Sequence, residues 1–124
     1  MPSDSGRHPV EVLFTSEFKR NLRHLARRYR SIRRDVEPLI ERLASGETPG
    51  DRVRQTGHVV YKVRVPNSDA RRGKSGGYRV IYYVQTSERV ILITIYSKSE
   101  QGDVSPKLLR EIIEEQAPPS GQPE

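Results

Sequence analysis

The chain has 124 residues, no cysteine and a formal net charge of +6. This length fits one domain with a single core, and the lack of cysteine excludes disulfides, thiolate nucleophiles and cysteine metal sites. No apolar stretch reaches the length of a signal peptide or a membrane span. We therefore expect a cytoplasmic protein without a membrane partner.

The positive charge is concentrated in one segment. Residues 61–80 contain six basic residues and one acidic residue, whereas residues 81–124 contain four basic and seven acidic residues. A local excess of this kind attracts nucleic acid or an acidic partner.

Two helices are predicted after a first short strand at residues 10–14. Apolar residues at helical spacing follow the N-cap pair Thr15-Ser16, and basic residues occupy the opposite face. This basic face has two open interpretations, a binding surface for ribosomal RNA or a solvated face. In the second helix we expect Asp35 as the N-cap, with Pro38 in the first turn, so that the break between the helices falls in residues 30–35.

Three strands and a last helix complete the predicted domain. The strands are expected at residues 58–65, 78–84 and 89–96, after a loop at 46–57, and Ser105-Pro106 opens the helix. The order β-α-α-β-β-β-α predicts a single α+β domain over residues 10–116, with a mostly antiparallel sheet and the helices packed on one face. Residues 1–9 and 117–124 are expected to be disordered.

The run RRGKSGGYRVIYY at residues 71–83 is the main functional candidate. Gly73-Lys74-Ser75 copies the end of a nucleotide P-loop, but the leading glycine is replaced by Ser68 and a strand follows instead of a helix. On the exposed face of the sheet, Lys62, Arg64 and Arg79 would form a cationic surface. The alternative is a solvated hairpin loop with a charged face.

Three stretches resemble the RelE/ParE superfamily of toxins from type II toxin–antitoxin modules, in particular the HigB/RelE-like branch. They are VYKVR at 60–64, RGKSGGYRVIYY at 72–83 and ITIYSKSE at 93–100. The resemblance implies a RelE-like fold and a ribosome-dependent, metal-independent endoribonuclease that cleaves mRNA without a cofactor. It also implies a cognate antitoxin, of the helix-turn-helix or RelB-like type, as a partner beside the ribosome and mRNA.

The resemblance also implies site residues. The expected catalytic residues are Lys62, Arg64, Arg79, Tyr96 and Lys98, and the expected RNA-binding residues are Arg71, Arg72, Gly73, Lys74, Gly76 and Gly77. Ser99 stands where the family has an arginine, and Ser105 stands near the position of its helix tyrosine. Tyr96 and Lys74 are the candidates to replace them. Two alternatives stay open: a ParE-like toxin that inhibits DNA gyrase, and a catalytically degenerate RNA-binding member.

Overall fold

The computed structural model describes residues 9–70 and 76–117, and within these ranges it has five strands and three helices. The strands are β1 Glu11–Phe14, β2 Asp51–Val53, β3 Val60–Val65, β4 Tyr78–Thr86 and β5 Arg89–Ser97, and the helices are α1 Ser16–Ala26, α2 Ile32–Ala44 and α3 Pro106–Gln116. The predicted α+β class is therefore confirmed. The predicted disordered ends lie almost wholly outside the described residues.

The strands form one sheet in the order β1-β5-β4-β3-β2. β1 is parallel to β5, and the other neighbours are antiparallel. β2 is an addition to the prediction, because it lies in the segment expected to be a loop. It is only three residues long and pairs with Val60–Lys62, and so short a strand carries little periodicity.

Buried side chains of the described residues form two clusters, one on each face of the sheet. The first packs α1 and α2 against Val65, Tyr78, Val80, Tyr82, Val90, Leu92 and Ile95. The second packs Leu109, Ile112 and Ile113 of α3 against Val60, Ile81, Tyr83, Ile91, Ile93 and Tyr96. The expectation that all helices share one face is therefore wrong. β4 and β5 are apolar on both faces, and each apolar face has to be covered.

The start of α2 also differs from the prediction. The helix begins at Ile32 after Ser31, the backbone N–H of Asp35 already bonds to the carbonyl of Ser31 at 2.9 Å, and Pro38 lies inside the helix. Ile32, Val36, Leu39 and Leu43 are all buried. Tertiary burial of this face stabilises the helix enough to offset the hydrogen bond that a proline removes.

The carboxylates of Asp35 and Asp69 fix the loop that follows β3. Asp35 Oδ2 accepts from the backbone N of Ser68 at 2.9 Å and from its hydroxyl at 3.1 Å. Asp69 Oδ2 accepts from the backbone N of Ser31 at 2.7 Å. These contacts tie residues 68–69 to the beginning of α2.

A bulge interrupts the pairing of β4 with β5. Ile81 lies opposite Thr94 and Tyr82 lies opposite Leu92, so Ile93 has no Cα partner on β4. One extra residue in a strand shifts the alternation of side chains beyond it. Before the bulge, the even-numbered residues Val90 and Leu92 face α1 and α2. After it, the odd-numbered Ile95 faces these helices, and the even-numbered Tyr96 faces α3.

Candidate active site

The predicted cations of the strands lie on the α3 face of the sheet, where Arg64 is exposed and Lys62 and Arg79 are partly exposed. Lys62 and Arg64 alternate with residues packed against α2, and the register places Arg64 opposite Arg79 and Arg79 opposite Tyr96. Lys98 follows the last residue of β5 directly. Five residues from three distant segments of the sequence thus lie on three neighbouring strands or directly after one of them.

Asp103 is the point at which these side chains meet. Its Oδ1 atom lies 3.3 Å from Lys62 Nζ and 3.8 Å from Lys98 Nζ, and it accepts from the Tyr96 hydroxyl at 3.4 Å. The residue belongs to the loop between β5 and α3, and its side chain is 61% exposed. Lys62, Lys98 and Tyr96 therefore converge on a position that holds an oxygen anion.

Two groups of the site have pKa values that are shifted in opposite directions. The hydrogen bond from Lys62, followed by the charges of Lys62 and Lys98, lowers the pKa of Asp103. Burial raises the pKa of Tyr96, and the negative charge of Asp103 raises it further, while the nearby charge of Arg79 opposes the rise. At neutral pH Asp103 is therefore a carboxylate and Tyr96 keeps its phenolic proton.

Arg79 is held by the backbone just before it. Its Nη1 atom donates to the carbonyl of Gly76 at 3.1 Å and to that of Tyr78 at 3.4 Å. No carboxylate among the described residues pairs with it, and its cross-strand neighbour Arg64 is another cation. Like charges directly opposite each other are unfavourable in a sheet. A bound anion would offset the repulsion between Arg64 and Arg79, so this pair indicates an anion-binding surface.

Gly77 connects the glycine-rich turn to the site through its backbone. Its φ of +63° and the distance of 2.8 Å from an added Cβ to the Val65 carbonyl both require glycine. Its own carbonyl accepts from the backbone N of Lys98 at 3.0 Å. Gly77 therefore fixes the end of β5, and with it Lys98, beside Arg79.

Other predicted positions have different outcomes. Arg71, Arg72, Gly73 and Lys74 lie outside the described residues. The Ser99 hydroxyl lies 3.1 Å from that of Ser97, and Ser105 caps α3 by accepting from the backbone N of Leu108 at 3.1 Å. In these contacts the two serine hydroxyls are neutral hydrogen-bond partners. Neither supplies the cation or the phenol that the resemblance implies at its position.

Sequence reasoning missed Asp103. It was counted only among the acidic residues of the second half of the chain, because no motif or periodicity links it to Lys62, which lies 41 positions earlier. Its only local signal is an acid five residues after Lys98, between a strand and a helix. Such a signal does not reveal where the loop folds back.

The described residues give no indication of a metal centre or a membrane span. Within residues 9–70 and 76–117, no three His, Cys, Asp or Glu side chains come together as metal ligands would. In the same ranges, none of the helices combines the length and the apolar character needed to cross a bilayer.

The fold and the candidate site together define a small α+β protein with a cluster of cations on the α3 face of its sheet. The family model described as "RelE toxin of RelE / RelB toxin-antitoxin system" matches residues 14–117. The chain belongs to this RelE toxin family, and membership implies a cognate antitoxin as a partner. The match does not specify the HigB branch. A search among curated proteins returns no significant relative.

Proposed function

We propose that this toxin is a ribosome-dependent endoribonuclease that cleaves mRNA and so inhibits translation in the cytoplasm. The observation that carries the proposal is the convergence of Lys62, Lys98 and Tyr96 on one oxygen atom, with Arg64 and Arg79 on the neighbouring strand positions. A phosphate oxygen carries the same kind of charge and accepts the same hydrogen bonds as this carboxylate oxygen.

The proposed reaction is the attack of a ribose 2′-OH on the adjacent 3′ phosphate, with loss of the 5′ oxygen of the next nucleotide. It requires an acceptor for the proton of the 2′-OH, cations for the charge that develops on the phosphate, and an acid for the leaving oxygen. The proton of the 2′-OH passes to solvent water. Lys62, Arg64, Arg79 and Lys98 supply the cations. Tyr96 supplies the proton, because burial and Asp103 keep its hydroxyl protonated at neutral pH.

The glycine-rich turn is proposed to bind the RNA backbone next to the scissile phosphate. The predicted RNA-binding residues Arg71, Arg72, Gly73 and Lys74 lie between Ala70 and Gly76. Asp35 and Asp69 anchor residues 68–69 on one side of this turn, and Gly77 is fixed on the other. The residues on both sides of this turn are therefore anchored, and Gly76 on one side contacts Arg79.

The antitoxin is proposed to be a helix-turn-helix or RelB-like protein with an acidic segment that neutralises the site. Asp103 supports this proposal, because a carboxylate already fits between Lys62 and Lys98. Charge complementarity of this kind speeds association and weakens with salt.

The test is induction of the chain in bacteria without its antitoxin, followed by primer extension on a reporter transcript. Cuts that follow the reading frame and disappear when the start codon is removed are expected, because cleavage then depends on translating ribosomes. Intact transcripts together with DNA damage would instead identify a gyrase inhibitor of the ParE type. Growth arrest with neither cuts nor DNA damage would leave an RNA-binding member that no longer cleaves.

A further inference from the structure

The carboxylate of Asp103 occupies the position that the proposed function assigns to a phosphate of RNA. Its Oδ1 atom contacts Lys62, Lys98 and Tyr96, which are three of the five groups proposed to act on the scissile phosphate. The single O–H of Tyr96 cannot donate to the carboxylate and to a phosphate oxygen at one time. Each lysine has three N–H donors, but a carboxylate and a phosphate placed side by side repel each other. RNA therefore gains these donors in full only after Asp103 has moved away.

Asp103 is placed where it can leave. Its side chain is 61% exposed, and exposed ion pairs are weak. The preceding Gly102 has open space around it, since a Cβ added there would meet no atom within 4 Å. Moving the carboxylate into solvent therefore requires no change in either buried cluster.

The loop that carries Asp103 is fixed at both ends. At its start, the backbone N atoms of Glu100 and Gln101 bond to the Ser97 carbonyl at 3.0 and 3.2 Å, and Arg28, in the turn after α1, holds Glu100 through a 2.7 Å ion pair. At its end, Ser105 caps α3. Because these anchors keep the displaced carboxylate close to the site, it competes at a high local concentration.

We propose that Asp103 is a built-in competitor for RNA phosphate, and that it makes the site selective for RNA that is presented on a larger assembly. This inference rests on the proposed function. Free RNA has only its contacts with the toxin itself, including those with the glycine-rich turn, to displace the carboxylate. RNA held by a ribosome is already positioned, and the toxin gains further contacts to the ribosome, so displacement is favoured there.

The test compares binding of free RNA by the full chain and by two charge-matched variants. Asp103→Asn removes the competing charge and keeps the size of the side chain. Glu11→Gln is the control, because Glu11 is also an exposed acid in an ion pair, with Arg89 at the opposite end of β5. The probe is a short RNA with a 2′-deoxy nucleotide at the expected cleavage position, and binding is measured by fluorescence anisotropy at low salt.

We expect Asp103→Asn to bind this RNA about 3- to 10-fold more tightly than the unmodified chain, and Glu11→Gln to stay within about twofold. The gain should decrease between about 50 and 200 mM salt, because the competition is electrostatic. With an all-ribose RNA, Asp103→Asn should also cleave free RNA faster.

Two results would overturn the inference. The first is unchanged RNA affinity in Asp103→Asn together with weaker binding in Lys62→Ala, which would leave the RNA site in place but remove the competition. The second is cleavage on ribosomes that falls about 100-fold in Asp103→Asn without a gain in affinity, since Asp103 would then act in the reaction itself. If Lys62→Ala also binds RNA normally, the proposed function fails as well.

Discussion

Arg79 is the residue most committed to the proposed phosphate site. Its guanidinium is fixed by the carbonyls of Gly76 and Tyr78, and its remaining N–H groups suit a phosphate. We expect Arg79→Ala to lower ribosomal cleavage by roughly 10²–10³-fold, as when one fixed donor to developing negative charge is removed. Arg79→Lys should rescue little of this loss, because an ammonium group cannot reproduce the planar fork.

The control for this prediction is Arg110→Ala, which removes an exposed arginine of α3. Circular dichroism and urea unfolding should show both variants folded, since removing Arg79 also relieves its opposition to Arg64. A folded Arg79→Ala protein that cleaves at the rate of Arg110→Ala would refute the role of Arg79.

At the residue scale, the sequence predicts the position of those candidate site residues whose placement follows from strand alternation. Lys62 and Arg64 point away from the helical pair because Tyr61, Val63 and Val65 are needed there, and Arg79 follows by pairing. Asp103 could not be found in this way. Its position depends on the course of a loop, and loop geometry is not encoded in a periodic pattern.

The α3 helix stabilises the sheet through one row of buried side chains. Leu109 is fully buried in the second cluster, whereas the adjacent Leu108 is 46% exposed. We expect Leu109→Ala to lower the free energy of unfolding by about 2–5 kcal/mol, through lost burial and the cavity left behind. Leu108→Ala should cost far less, and urea denaturation measures both. Equal losses would mean that α3 is not packed as described.

Among the elements, the long periodic segments were predictable and their partners were not. The α1 helix begins after the predicted cap, with the Thr15 hydroxyl accepting from the backbone N of Phe18 at 3.0 Å. The face that α3 covers was wrongly predicted, because an amphipathic helix shows which of its own sides is buried but not which side of a sheet it meets. Pro38 was misplaced for a related reason, since tertiary burial overrode a local breaker.

At the scale of the whole molecule, four buried tyrosines make the free energy of unfolding depend on pH in the alkaline range. Burial is the main cause that raises the pKa values of Tyr78, Tyr82, Tyr83 and Tyr96 above the ordinary value of 10.0. Since the unfolded chain loses these protons at lower pH than the folded chain, the stability that they contribute is present below about pH 10 and is lost above it.

We therefore expect the free energy of unfolding by urea to fall steeply above about pH 10. Tyr83→Phe serves as the comparison, because it keeps the ring in the second cluster and removes one ionisable group. This variant should show a shallower fall. If both proteins show the same dependence on pH, the buried phenol of Tyr83 does not contribute to it.

The proposed chemistry also predicts that chelators leave cleavage unaffected. Its charge stabilisation comes from Lys62, Arg64, Arg79 and Lys98, and its proton from Tyr96, so the reaction as proposed uses no metal ligand. Cleavage should continue in EDTA, under conditions in which ribosome integrity is confirmed by sedimentation. Activity that is lost in EDTA and restored by a transition metal would contradict the mechanism.

The bulge at Ile93 determines which side of the protein Tyr96 belongs to. In a regular strand, Val90, Leu92 and Tyr96 would share a face, because their positions differ by even numbers. With one unpaired residue between them, Tyr96 meets the cations instead of the α1–α2 pair. The alternation of side chains along β5 thus decides whether the phenol of Tyr96 lies beside the cations or in the core. Removing one residue at Ile93 would exchange these two environments for Tyr96 without altering any residue of the site.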